Sequence, residues 1–277
     1  WTTIHGKKSI AMMNPLTEHM THMRTDLLPG LFEAVDFNIK NGSTELYLFE
    51  LGNVFIQQKK GLSGIKEIPL ACGLVYGDRV SLSAHEQGKP TSLFTIMGHM
   101  DRLCKSIGDN TPTYESVEMK GYQKAFTICV GKEVIGVLGT VDAVFVKDLG
   151  LEIDNMIHCF SLEINKLMPL LRHEQTYTPI NLYPIVERDI DFVFPEETET
   201  GVVSQKILQQ NYPNLTEVFP IDIFRHKSVG EDQKSVTFHF RFQHPDKTLE
   251  DKEVSSVINK IKRLVLSEFD AKLRSSN

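Results

Sequence analysis

The chain has 277 residues, of which 41% are hydrophobic and 24% are charged, a composition typical of a globular protein with one or two cores. It contains no run of 18 apolar residues, which excludes a transmembrane helix, and Trp1 to Lys8 lack the apolar segment of a signal peptide. The net charge is −6, whereas a protein that binds nucleic acid by itself usually carries a basic surface. Any RNA contact is therefore expected in an assembly whose positive charge lies elsewhere. Because the sequence does not begin with Met, we expect a fragment of a longer protein.

The first half of the chain has strand patterns with interspersed helices. Pro29 fits the first turn of a helix, and Asn41-Gly42 is a typical end for it. Gly131-Lys132 is expected to form a hairpin turn between two apolar segments. The other predicted elements are strands at Glu45–Phe55, Ile68–Tyr76, Tyr114–Met119, Ala125–Val130, Val134–Thr140 and Ile157–Ile164, and helices at Phe94–Ile107 and Ala143–Asp148. This order predicts an α+β domain.

The cysteines and histidines do not form a metal site in the sequence. Cys72, Cys104, Cys129 and Cys159 lie far apart in apolar surroundings, and no two have the spacing of metal ligands. We expect buried free thiols in a cytosolic protein. The segment His19-Met20-Thr21-His22 offers two histidines, but no third ligand is near in the sequence. No metal ligand is assigned.

Two prolines between Thr176 and Pro184 predict an extended connection between two domains. Beyond it, the patterns give a strand that opens at Arg188-Asp189, a helix, two strands, a longer helix and a terminal strand. This β-α-β-β-α-β order predicts a four-stranded antiparallel sheet with both helices on one face. The other face is open to a partner, and single-stranded RNA is one such partner.

The third strand of this half has the clearest alternation. Its inward-facing residues are predicted to be Val236, Phe238, Phe240 and Phe242. In the strand before it, Phe219, Ile221 and Ile223 alternate with Asp222 and Phe224. We expect Phe224, Thr237, His239 and Arg241 on the open face, where a base can stack on Phe224 and hydrogen-bond with Arg241. These four are the candidate RNA-binding residues. The alternative is a face that is solvated or packed against another domain.

Several ordered motifs along nearly the whole chain resemble the C-terminal part of the beta subunit of bacterial phenylalanyl-tRNA synthetase. They are Asn14-Pro15-Leu16-Thr17-Glu18 with Met23 to Leu31, then Phe49-Glu50-Leu51-Gly52-Asn53-Val54-Phe55, Ile135 to Gly139, Tyr183 to Ile190, and Phe242 to Val254. In the family these segments read NPLS-E…MRTSLLPGLL, FEIGRVF, IGxLG, FPAVxRDLA and FQSPDRTLTDEEV. Met119 to Lys124 departs from the family, which has His-Pro-Gly at this point.

The resemblance implies a class II synthetase-like antiparallel sheet module at residues 1–175, followed by a ferredoxin-like anticodon-binding domain at residues 180–277. The first module is implied to be catalytic-like but non-catalytic and to pack on the alpha subunit. The whole enzyme is implied to be a cytoplasmic α₂β₂ tetramer that uses ATP and Mg²⁺ to join phenylalanine to its tRNA. That chemistry belongs to the alpha subunit, so no cofactor is expected in this fragment. The family's editing and other upstream modules are not represented in this sequence.

The residues independently lack the signature of an amino-acid-activating site. That chemistry requires arginines on the ATP phosphates and carboxylates on Mg²⁺. Where a working class II site has an Arg two residues before a Glu, Leu48-Phe49-Glu50 has a leucine. No basic residue follows Thr140 until Lys147, although a late arginine is expected there. No catalytic residue is therefore assigned.

Four further residues are assigned structural or interface roles: Arg24, Glu50, Arg188 and Asp189. Arg24 is expected either to contact the partner subunit or to pair with a local carboxylate such as Glu33. Arg188 and Asp189 are expected to form a local ion pair that fixes the start of their strand, and an RNA contact is the alternative. Lys260, Lys262 and Arg263 are explained by a position near the C-terminal end of the last helix, where the helix dipole favours cations.

Two other functions compete with anticodon binding. One is a subunit-interaction scaffold that makes no RNA contact, which a hydrophobic open face would favour over a basic one. The other is a complete enzyme in one chain, which needs an arginine for the ATP phosphates that the sequence does not provide.

Overall fold

The computed structural model describes residues 9–15, 21–59, 61, 64–80, 88–108, 110–153, 155–171 and 179–274. Some sequence-based expectations concern other residues: the segment Trp1 to Lys8, Leu16 to Glu18 of the first motif, His19 and Met20, and the start of the domain connection at Thr176 lie outside the described residues. The chain divides into two compact units, residues 1–175 (unit 1) and 176–277 (unit 2).

Unit 1 contains ten strands and four helices within its described residues. Its elements are β1 (Ile10–Ala11), β2 (His22–Met23), α1 (Leu28–Lys40), β3 (Leu46–Gln57), β4 (Ile65–Tyr76), β5 (Asp78–Val80), β6 (Lys89–Pro90), α2 (Leu93–Gly108), β7 (Thr113–Val117), β8 (Tyr122–Val130), β9 (Glu133–Val141), α3 (Ala143–Asp148), β10 (Ile157–Glu163) and α4 (Ile164–Leu167), with a 3₁₀ turn at Met168–Leu170. All strands and helices predicted for this half are present; α3 has the predicted bounds, and the ends of the others are shifted.

A six-stranded antiparallel sheet in the order β3-β4-β10-β9-β8-β7 is the framework of unit 1. Helices α1 and α2 pack on opposite faces of this sheet. Leu74 and Val75 of β4 show the division, because Leu74 belongs to the core beside α1 and Val75 to the core beside α2. Strand β3 lies at one edge, so it pairs with β4 alone along most of its length.

Helix α1 begins where the sequence predicts it. The side chain of Asp26 accepts a hydrogen bond from the backbone N–H of Leu28 at 3.0 Å, and Pro29 occupies the first turn. Leu31 and Phe32 are buried against the sheet. Gly42 has a φ of +91°, which glycine adopts without strain and which ends the helix.

All four cysteines are free and buried, which confirms the expectation of buried free thiols. Burial raises the pKa of Cys72 and the pKa of Cys159 to about 12. Both thiols therefore stay protonated near neutral pH, and a protonated thiol is a poor nucleophile. No helix within the described ranges is both long and apolar enough to cross a membrane.

Unit 2 has the predicted ferredoxin-like order. Its elements are β11 (Val186–Pro195), α5 (Thr200–Gln209), β12 (Leu215–Phe224), β13 (Gln233–Phe242), α6 (Asp251–Glu268) and β14 (Lys272–Leu273). The four strands form an antiparallel sheet in the order β12-β13-β11-β14, so the first and third strands are central. Both helices contribute to one core on the inner face, which leaves the outer face (the open face) uncovered by helices of this unit.

The core of unit 2 is built from phenylalanines, as the alternation predicts. Phe192, Phe194, Phe238, Phe240 and Phe242 have no exposed surface, and Phe194 meets Phe238 edge to face with ring centroids 6.0 Å apart. Leu208 of α5, by contrast, is 43% exposed. Helix α5 ends after Gln209, and its inward face is formed by Val203 and Ile207.

The ends of helix α6 define its capping and the position of its cations. Its N-cap is Glu250, whose N–H donates to the side chain of Glu253 at 3.0 Å and so forms part of a capping box. The helix continues to Glu268, and its last turn contains no basic residue. Lys260, Lys262 and Arg263 therefore lie before the last turn, where the helix dipole has little effect.

Replacing Phe240 by alanine tests the aromatic core. We expect Phe240→Ala to lower the free energy of unfolding by about 3–5 kcal/mol, because it removes a fully buried ring and leaves a cavity. Phe219→Ala on the open face is the matched control and should lower it by less than half as much, since Phe219 is 37% exposed. Amide hydrogen exchange of unit 2, measured as urea unfolds the protein, gives the free energy of unfolding of both variants. Equal losses would contradict this assignment of faces.

Candidate nucleic-acid interface

The open face of unit 2 collects all four candidate RNA-binding residues. Thr237, His239 and Arg241 alternate with the buried phenylalanines of β13 and so point away from the core. Phe224 of β12 pairs with Ser235, which belongs to the same outward row. The described structure thus groups these side chains on one surface, and each already has a partner in the protein.

Arg241 is held between two carboxylates from the neighbouring strands. Its Nε donates to Glu187 at 3.0 Å, and its Nη1 donates to Glu217 at 2.9 Å. Its guanidinium also lies 5.7 Å from the ring centroid of Phe219. The hydrogen bonds with Glu187 and then Glu217 raise the pKa of Arg241, while the bond from Arg241 lowers the pKa of Glu187. Arg241 is fixed in place, and its charge is balanced.

His239 lies beside Arg241 and is bound to the same acidic strand. Its Nδ1 is 2.6 Å from Asp189 Oδ1, and its Nε2 is 3.4 Å from Glu187 Oε1. The imidazole centroid is 5.2 Å from that of Phe219. The hydrogen bond to Asp189 raises the pKa of His239 above its ordinary value. His239 thus lies against two carboxylates of β11.

The other end of the open face combines an aromatic ring with a cation. Phe224 is 39% exposed, and the guanidinium of Arg274 lies 5.0 Å from its ring centroid. His226 stacks on the same ring at 5.9 Å. Farther along, the hydroxyl of Thr237 donates to Asp191 at 2.6 Å. This end offers one aromatic surface with its cation at the side.

A bulge in β12 puts Phe219 on the open face. The register shifts between Pro220 and Asp222, so Phe219 pairs with His239 while Phe224 pairs with Ser235. Simple alternation would place Phe219 and Phe224 on opposite faces of the sheet. This is wrong here, because the extra residue of the bulge reverses which face the following side chains occupy. Pro220 was the available signal, since proline inside a strand marks an edge or a bulge. Sequence reasoning also missed Glu187, Glu217 and Arg274, whose roles depend on pairing between strands.

Arg188 and Asp189 do not form the expected local ion pair. Arg188 binds Asp251 at the start of α6 at 2.6 Å, while Asp189 binds His239. Successive residues of a strand point to opposite faces, so the two side chains cannot meet without breaking the strand. Arg188 instead connects β11 to α6.

In unit 1, Arg24 and Glu50 are brought together. Arg24 Nη1 donates to Glu50 Oε1 at 2.7 Å, and its Nε donates to the backbone oxygen of Asn53 at 2.8 Å. The carboxylate partner is therefore Glu50 rather than Glu33. A Cβ on Gly52 would collide with the guanidinium, so glycine allows the close approach. This ion pair fixes the segment after β2 against the edge strand β3, and an interface role for either residue remains a prediction.

No group of three or more His, Cys, Asp or Glu side chains in the described ranges is arranged to hold a metal ion. Unit 1 has a cleft of about 320 Å³ on its sheet. It is lined mainly by apolar residues such as Val54 and Ile68, with Lys66, Ser161 and Glu163 as its charged or hydroxyl-bearing side chains. The cleft thus presents one cation and one carboxylate.

Comparison with family models divides the chain into two matched regions. Residues 3–165 match the model described as "Phenylalanyl tRNA synthetase beta chain CLM domain". Residues 181–274 match "Ferredoxin-fold anticodon binding domain". The second match confirms the ferredoxin-like fold, and both agree with the resemblance found in the motifs.

Curated proteins described as beta subunits of phenylalanine–tRNA ligase align with almost the whole chain. The beta subunits of phenylalanine–tRNA ligase from Syntrophotalea carbinolica, Thermotoga maritima and Bacillus cereus are 24%, 27% and 28% identical to it. Each alignment covers 97% of this chain and 33% of the relative. The chain therefore spans about a third of the length of the curated relatives it matches.

The pKa of His239 tests the hydrogen bond to Asp189. We expect it to lie above 6.5 and to fall in Asp189→Asn, because the partner's negative charge is lost. Since the folded-state pKa is raised, this interaction stabilises unit 2 fully below pH 6.5 and is lost as the pH rises through the folded-state value. NMR titration of the imidazole measures it. Asp191→Asn, which removes the partner of Thr237, is the control; the same pKa in Asp189→Asn and in the unaltered protein would contradict the assignment.

Proposed function

Since this chain belongs to the phenylalanyl-tRNA synthetase beta-chain family, we propose that it forms the anticodon-binding and subunit-packing part of a phenylalanine–tRNA ligase. Unit 2 binds the anticodon stem-loop of phenylalanine tRNA, and unit 1 packs on the alpha subunit as a non-catalytic module. The observation that carries this proposal is the match of residues 181–274 to an anticodon-binding domain, on a sheet whose open face carries aromatic and cationic side chains.

The open face suits unstacked bases better than phosphates. Phe219 and Phe224 are partly exposed rings at two positions along β12, and each has a guanidinium beside it. A flat base stacks on such a ring, and base–aromatic stacking contributes about 1–3 kcal/mol per base. Arg241 is bound to carboxylates on both sides, which limits its value for a phosphate and orients its plane for a base edge. Thr237 and His239 supply further hydrogen-bonding groups between the rings.

The remaining roles follow from family membership. The proposed assembly is an α₂β₂ tetramer in the cytoplasm that charges tRNA with phenylalanine. The alpha subunit binds ATP and Mg²⁺ and performs the reaction. This chain contributes positioning: it holds the distant end of the tRNA while the acceptor end is charged on the other subunit.

An exposed apolar strip on unit 1 supports a packing role. Tyr47, Phe49 and Leu51 follow one another on the same face of β3 and are 46%, 75% and 64% exposed. They lie on an edge strand of the sheet, where a partner can cover both the side chains and the strand edge. We propose this strip as the surface that meets the alpha subunit. A scaffold without RNA contact is the second candidate function, and this strip is the observation that favours it.

Titration with tRNA distinguishes anticodon binding from scaffolding. We expect the 277-residue chain to bind phenylalanine tRNA more tightly than a version with a swapped anticodon, and to lose affinity as salt rises from 50 to 200 mM. Phe219→Leu and Phe224→Leu should each weaken binding to the native anticodon by about 1–3 kcal/mol, because leucine keeps the apolar volume but cannot stack. Phe37→Leu, an exposed phenylalanine of unit 1, is the matched control.

Equal affinity for both tRNAs would refute anticodon reading by this chain alone. Repeating the titration with the alpha subunit present then separates two cases. Discrimination that appears only in the complex would mean that reading needs the assembled enzyme, whereas none in either state would favour the scaffold.

The strip on β3 is tested by assembly with the alpha subunit. We expect Phe49→Ser/Leu51→Ser to weaken this assembly at least about tenfold, since two exposed apolar side chains no longer leave water on binding. The affinity of the double variant for tRNA, measured without the alpha subunit, should equal that of the unaltered chain. The control is Val144→Ser, which alters another exposed apolar residue of unit 1. Calorimetric titration measures the affinity, and unchanged assembly by the double variant would exclude the strip as the contact surface.

A further inference from the structure

The cations of unit 2 differ in whether their charge is already balanced. On the open face, Arg241 and His239 each lie against two carboxylates. Elsewhere, Arg225 pairs with Glu196 and Lys206 pairs with Glu268. Such cations have little attraction left for a phosphate.

Helix α6 carries a group of cations that are not balanced in this way. Lys252, Ser256, Lys260 and Arg263 are all exposed and recur at helical spacing on the side opposite the core, and we call this row the basic stripe. At 1.5 Å per residue it is about 16 Å long. Among the described residues, no carboxylate lies within ion-pair distance of its three cations.

The acidic residues of α6 are already neutralised by other cations. Asp251 binds Arg188 at 2.6 Å, Glu253 binds Lys247 at 2.6 Å, and Glu268 binds Lys206 at 3.1 Å. The helix therefore presents a net positive surface although the whole chain has a net charge of −6. A polyanion is the ligand class complementary to such a surface.

The helix dipole does not account for these cations. Its effect is confined to the last turn, and that turn contains Glu268 and no basic residue. The core does not need them either, because the inward side of α6 is formed by residues such as Val254, Ile258 and Ile261. Solubility alone would be served equally by mixed charges, whereas the stripe carries one sign.

We propose that the basic stripe of α6 binds the phosphate backbone of tRNA as a second contact surface, on the side of unit 2 opposite the open face. This inference rests on the proposed function, because it takes tRNA as the ligand. The two surfaces then have different roles. The open face of the sheet contacts bases, and the basic stripe binds phosphates of another segment of the same RNA without regard to sequence. The stripe then supplies the attraction that the acidic open face cannot.

The test is a salt titration of three forms of the full chain. They are the unaltered protein, the stripe variant Lys252→Gln/Lys260→Gln/Arg263→Gln, and a control variant with the same charge change in unit 1, Lys105→Gln/Lys132→Gln/Lys147→Gln. The control positions are exposed lysines. Each form is titrated with phenylalanine tRNA and its anticodon-swapped version between 50 and 200 mM salt. Circular dichroism verifies that all three forms are folded.

We expect the stripe variant to lose affinity for both tRNAs by the same factor, and its slope of log K against log salt to shrink by about 2–3. The control should keep the slope of the unaltered protein. An unchanged slope in the stripe variant, or an equal loss in both variants, would overturn the inference.

The unaltered protein tests the proposed function separately. If it fails to discriminate the two tRNAs but the stripe variant still binds both more weakly, anticodon reading by this chain alone fails and the stripe stands. If it discriminates and the stripe variant keeps the same slope, the stripe fails and anticodon reading stands. Absence of binding by the unaltered protein would overturn both.

Discussion

The two-residue period of β13 determines both the core and the candidate site of unit 2. Phe238 and Phe240 are fully buried, and His239 between them points outward. A slip of one residue would expose the phenylalanines and bury Arg241, so the register is strongly fixed. Antiparallel pairing with β11 then sets Glu187 opposite Arg241. The contacts of the open face are in this sense a consequence of how the core packs.

The carboxylates that balance Arg241 on the open face also determine how this face can bind a ligand. Arg241 is held in one orientation by two carboxylates, and Arg274 lies against the ring of Phe224, so a ligand meets ordered groups and little of its binding energy is lost in fixing them. Because the acids on β11 repel phosphates, stacking on Phe219 and Phe224 becomes the main attraction to a base. Nonspecific attraction to RNA has to come from another surface, and the basic stripe of α6 offers three cations with no carboxylate partner among the described residues. This division fits a chain whose net charge is negative.

The sequence predicted what depends on local patterns and missed what depends on pairing at a distance. The strand and helix order, the aromatic core and the start of α1 follow from periodicity and from residues such as Pro29, and all are observed. The partner of Arg24 is Glu50, 26 residues away, because β3 and the segment after β2 meet only in the folded unit. The bulge after Pro220 changed the phase of β12, and an alternating pattern cannot show an inserted residue. The candidate RNA-binding residues were placed on one face, but their carboxylate partners were not foreseen.

The central claim is that bases of the anticodon lie on the open face of unit 2. NMR of the chain with labelled phenylalanine rings, before and after addition of phenylalanine tRNA, tests it most directly. The account predicts that the resonances of Phe219 and Phe224 shift strongly, since a stacked base changes the field at each ring, while the buried Phe240 changes little. Binding of tRNA without any change at Phe219 and Phe224 would contradict it.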